Sequence, residues 1–174
     1  MTPEELRQCL EEAFGDLEPP NFEELGWFYE YEHFLEVVKT DTAKTKRWQE
    51  LRPLTQYLHG SLDIIQLEPE NFRYYLPAYL YAMTDSQVVW QYLGTVLDHL
   101  WYDDEDGERL YNDFGFRVQW EQFTSALTDR QKRCVAHCLV GILESADSIE
   151  ECAEVHMETD RIEYMLKKYW GAWL

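Results

Sequence analysis

The chain has 174 residues, 45% hydrophobic and 16% aromatic, and its 34 acidic against 15 basic side chains give a formal charge of −19. That length fits a single domain, residues 1–174, which should bury about two thirds of its unfolded surface. Binding to DNA or RNA phosphates is disfavoured, because affinity there rests on Lys and Arg displacing counterions, and an anionic membrane surface is disfavoured for the same reason; a basic protein is the partner of matching sign.

Eight Gly and six Pro are too few for a many-turned sandwich or barrel. Met1 to Glu5 has no basic segment followed by an apolar run, so no secretory signal is expected. The longest apolar run, Cys134 to Leu143, is far too short to span a bilayer. Four Cys without a dense framework point to reduced thiols and a cytoplasmic setting.

Taken in order, Thr2-Pro3-Glu4-Glu5 reads as a capping box opening a helix with Leu6, Leu10, Ala13 and Phe14 at helical spacing, stopped at Gly15. Leu17 to Pro20 is a stiff connection, and Asn21 to Glu24 a second helix start. Over Phe22 to Val38 the spacing of Phe28, Tyr31, Phe34, Leu35 and Val38 favours a helix, while Trp27 to Glu32 also alternates as a strand would. Lys39 to Lys46 reads as a loop. Trp48, Leu51, Leu54, Tyr57 and Leu58 make a further helical stripe closed near Gly60.

The most apolar helical pattern begins at Pro69, well suited to a first helical position, and carries Phe72, Tyr75, Leu76, Tyr79, Leu80 and Met83 on one face. Tyr74 and Tyr81 widen that face, and Pro77, which cannot donate to the Arg73 carbonyl, should bend the helix. This segment is expected at the centre of the protein. Val88 to Leu100 sustains the next stripe, Tyr102 to Asn112 is an acidic loop, and Phe114 to Val118 reads as extended. Thr128-Asp129-Arg130-Gln131 is a second capping box, ahead of Cys134, Val135, Cys138, Leu139, Ile142 and Leu143 on one face. A last helix is expected from about Ile149 to Trp170. The sum is an all-α, compact bundle of about six or seven helices with antiparallel neighbours.

The run Leu67-x-Pro69-Glu70-x-Phe72-Arg73-Tyr74-Tyr75-Leu76-Pro77-Ala78-Tyr79-Leu80 resembles the core motif of a bacterial domain-of-unknown-function family. Trp48-Gln49-Glu50-Leu51, Leu127 to Gln131 and Tyr169-Trp170 are similar to its flanking features. The resemblance covers about the last two thirds of the chain. It implies a bacterial or phage origin and a helical domain, with no substrate or reaction. The first 40 or so residues match that pattern poorly, which marks them as a place for a special function.

The chemistry-bearing groups are sparse. Cys134 and Cys138, with Cys152 and His156, form two i, i+4 pairs that a helical hairpin could bring together as a Cys₃His zinc site. All four lie on apolar stripes, where Cys commonly serves as a small buried hydrophobe, so no resident metal is expected. The acidic loop at Tyr102 to Gly107 matches a calcium-binding loop only in part, with Tyr102 at the first ligand position and Asp113 at the twelfth. Arg73, a cation among aromatics, reads as the partner of a structural ion pair rather than an anion anchor. No hydrolase, phosphate-loop or metalloprotease motif is present.

The first 38 residues hold eleven acidic residues and one basic, with Trp27, Tyr29 and Tyr31 interleaved. Acidic groups around aromatic anchors suit a surface that docks a cationic partner. The sequence therefore reads as a non-enzymatic interaction protein, an inhibitor or immunity protein for example. Its partner-binding residues would be Glu23, Glu24, Trp27, Tyr29, Glu30 and Glu32, and Phe72, Arg73, Tyr74, Tyr75, Leu76 and Pro77 its structural motif. No catalytic residue and no cofactor is expected. The alternatives are a helical enzyme with an unrecognised carboxylate site and a zinc-stapled structural domain.

Overall fold

The computed structural model describes residues 1–19, 47–50, 69–84, 94, 96–97, 100, 121, 123–146 and 153–174, and among these the chain is helical and contains no strand. Helix α1 spans Pro3–Phe14. Its start is the expected capping box: the Glu5 N–H donates to Thr2 Oγ1 at 3.2 Å, and the Thr2 N–H donates to Glu5 Oε2 at 2.7 Å. Leu6, Leu10 and Phe14, one turn apart, are its buried stripe. Gly15 ends α1 without using a left-handed backbone: its φ is −60°, and its N–H donates to the Glu11 carbonyl. A Cβ there would strike that same carbonyl oxygen, which is why the position suits glycine.

A short 3-10 turn, Trp48–Glu50, stands where the sequence predicts the start of a helical stripe. The rest of that stripe, Leu51 to Leu58, lies outside the described residues, as do Phe22 to Val38 and Phe114 to Val118. Helix α2 spans Pro69–Ala82, starting at the expected proline and continuing through Pro77. Every residue from Tyr74 to Leu80 is buried, so α2 is covered all round rather than on one stripe, as befits a central helix. Gly94, Val96, Leu97 and Leu100 are helical, and the last three are fully buried.

Helix α3 spans Asp129–Ala146. It opens on the second capping box: Gln131 N–H donates to Thr128 Oγ1 at 3.3 Å, and Thr128 N–H to Gln131 Oε1 at 3.1 Å. Cys134, Val135, Ala136, Cys138, Leu139 and Ile142 are buried. Helix α4 spans Ala153–Lys168 and gives way to a 3-10 turn at Trp170–Trp173. The sequence carries one helix through to Trp170; instead the backbone breaks at Tyr169, with φ −141° and ψ −60°. The break lets the Trp170 indole turn inward and donate to the Leu100 carbonyl at 2.9 Å.

Helices α1 and α3 pack antiparallel. Leu6 lies against Gly141, Cys9 against Cys134, and Glu12 and Ala13 against Arg130 and Gln131. Helix α2 contacts α1 and the Trp48 turn, while α4 and the C-terminal turn both contact α3. The buried side chains of all these elements form one apolar cluster.

Candidate functional site

The C-terminal end of α1 is where the sequence motifs meet. Its last carbonyls lack intrahelical donors and need partners from elsewhere. Gln131 Nε2 donates to the Ala13 carbonyl at 3.1 Å, and Trp48 Nε1 donates to the Phe14 carbonyl at 2.9 Å. Gln49 Nε2 reaches Glu11 Oε2 at 3.0 Å. The motif residues Trp48, Gln131 and Trp170 thus each tie together elements distant in the chain, and their chemistry is spent on the scaffold.

In the central motif, Tyr74 and Tyr75 meet edge to face with ring centroids 5.2 Å apart. Burial, with Tyr74 alongside, pushes the Tyr75 hydroxyl well above the ordinary tyrosine range, so it stays protonated. Leu76 and Pro77 are buried. Arg73 is half-buried, and its Nε is enclosed without a hydrogen-bond partner among the described residues. The carboxylate expected opposite it is not found among those residues.

The expected docking residues Glu23, Glu24, Trp27, Tyr29, Glu30 and Glu32 lie outside the described residues. The described part of the acidic N-terminal segment turns its charge outward: Glu4, Glu5, Glu12, Asp16 and Glu18 are exposed, opposite the buried Leu6, Leu10 and Phe14. Glu12 pairs with Arg130 across to α3 at 2.5 Å. Hydrogen bonds from Gln8 and then Arg130 hold its carboxyl below the usual range.

Cys134 and Cys138 are both buried on one face of α3. Cys152 and the His156 side chain lie outside the described residues, as does the acidic loop at Tyr102 to Asp113. The thiol that does join the α3 pair is Cys9 of α1. Its hydrogen bond to Cys134 and then burial push the Cys9 thiol far up, and a hydrogen bond to Cys138 dominates the upward shift of Cys134. These two groups stay protonated at neutral pH, which makes them poor nucleophiles. Among the described residues no three His, Cys, Asp or Glu side chains converge to hold a metal ion. Sequence spacing could not have found the contact, because Cys9 stands alone on its helix.

Beyond the thiols, α1, α2 and α3 form an open cavity of about 280 Å³, walled by Leu6, Leu80, Met83, Cys138, Gly141 and Ile142. Its mouth holds Glu144, whose carboxylate is 3.6 Å from the Met1 ammonium. Among the described residues no helix is long and apolar enough to cross a membrane.

No curated protein and no solved structure matches this chain. A family model does, over residues 2–173, and so takes in the first 40 residues that the motif resemblance leaves aside. With nearly the whole chain matched, the protein belongs to the family of unknown function DUF6714.

Proposed function

We propose that this protein is a non-enzymatic interaction module that binds a basic protein through its acidic N-terminal segment, as an inhibitor or immunity protein would. The observation that carries the reading is the arrangement of α1: its apolar stripe is spent on the core, so five carboxylates between Glu4 and Glu18 face solvent. The first 38 residues together contribute a net −10 of the −19 formal charge. Charges at the rim of an interface steer encounter, and aromatic anchors such as Trp27 and Tyr29 hold the complex. In the fuller form of this proposal the protein is a bacterial, cytoplasmic domain. It has about six or seven helices, with α2 bent at Pro77.

The test is kinetic. Once a partner is captured from the native host and identified, its association rate should fall steeply with added salt. The Debye length shortens from about 30 Å at 0.01 M to about 8 Å at 0.15 M, so steering across the rim is lost. Reversing Glu23, Glu24, Glu30 and Glu32 to Lys should slow association in the same way and leave the circular dichroism helical. Trp27→Ala should instead speed dissociation. A partner whose association is indifferent to salt would remove the basis of this reading.

A further inference from the structure

The pocket between α1, α2 and α3 is a feature of the described residues that neither the motifs nor the acidic surface accounts for. Its volume of about 280 Å³ is nearly twice that of an engineered apolar cavity of about 150 Å³ that takes up benzene. The wall is apolar: Leu6 comes from α1, Leu80 from α2 with Met83 just beyond its end, and Cys138, Gly141 and Ile142 from α3. Two hydroxyls reach it, and both have committed their protons. Thr84 Oγ1 donates to the Tyr81 carbonyl at 2.7 Å and accepts from Arg7 Nε at 2.8 Å. Ser145 Oγ donates to the Ile142 carbonyl at 2.8 Å. Neither hydroxyl therefore has a proton to offer a ligand.

The mouth has the opposite character. Glu144 is the one carboxylate lining the cavity, and it is 60% exposed. The Met1 ammonium stands 3.6 Å away, beyond the usual hydrogen-bond length of about 2.9 Å. Glu144 thus already faces one ammonium, and at 60% exposure its carboxylate has oxygen positions left for a second.

We propose that this cavity binds a small amphiphilic cation, an aryl- or alkylammonium whose apolar body lies against Leu6, Leu80, Met83 and Ile142 and whose charge is held at the mouth by Glu144. The site does not depend on the macromolecular surface argued above. The test is a titration of the full chain with 2-phenylethylamine, 2-phenylethanol and 3-phenylpropanoate in turn, following the methyl NMR signals of Leu6, Leu80, Met83 and Ile142. The amine should shift those four residues saturably, binding about two- to fivefold more tightly than the alcohol, the worth of an exposed ion pair. The carboxylate should bind most weakly. Glu144→Gln, a change at an exposed position, should abolish the difference between amine and alcohol while leaving alcohol affinity unchanged. The proposal is overturned if no probe shifts those methyls saturably, if amine and alcohol bind alike to the native chain, or if the preference survives in Glu144→Gln.

Discussion

Gln131 is only 3% exposed and uses both ends of its amide, accepting from the Thr128 N–H and donating to the Ala13 carbonyl. Gln131→Ala removes a cap from α3 and leaves a carbonyl of α1 without its donor, so it should cost about 1–3 kcal/mol in urea unfolding. Gln131→Glu should cost more, because a buried carboxylate can accept from Thr128 but cannot donate to Ala13. The thiols give a pH dependence of definite sign. Cys9 and Cys134 titrate far above their ordinary range in the fold, while in the unfolded chain they lose protons near pH 8.5. The folded state then binds more protons than the unfolded one, so stability is full below about pH 8.5 and declines above it. Thermal melts from pH 7 to 10 should show that decline, and Cys9→Ser should flatten it. Local devices of this kind were half legible in the sequence. Thr128 and Gln131 sit three apart and announce a capping box, but nothing in their spacing points to Ala13, 118 residues from Gln131.

At the scale of elements, the apolar spacing from Phe72 to Met83 located α2 and its central position, because a helix buried on every side needs an unbroken apolar run. Replacing Leu76, fully buried, by Ala should cost about 2–5 kcal/mol through the cavity it leaves, and Tyr75→Ala should cost a similar amount. Unchanged denaturant midpoints in both variants would displace α2 from the centre of the fold. The C-terminal break was not legible. The i, i+4 pattern runs smoothly into Tyr169 and Trp170, and the interruption is imposed by a tertiary partner, the Leu100 carbonyl that receives the indole. The cavity was hidden for a related reason, since its wall is assembled from three helices distant in the chain.

For the whole molecule, the thiol arrangement bears on metal content. Two of the four candidate ligands, Cys134 and Cys138, are enclosed among apolar side chains, and Cys134 is turned to hydrogen bonding with Cys9 and Cys138. Protein purified without added metal should carry no stoichiometric zinc by elemental analysis, and a chelator should leave its melting temperature unchanged. Near one zinc per chain would promote Cys134, Cys138, Cys152 and His156 to ligands. The joint at the end of α1 has a further consequence, for the order of events during synthesis. The donor that completes the Ala13 carbonyl arrives 118 residues later. At about 5–20 residues per second the ribosome needs roughly 6 to 24 s to reach it. Throughout that interval Leu6, Leu10 and Phe14 have no α3 to cover them, and only the Trp48 turn and α2 are there to meet them. The growing chain therefore carries an incompletely covered apolar stripe flanked by exposed carboxylates, whose like charge disfavours contact between the stripes of neighbouring nascent chains.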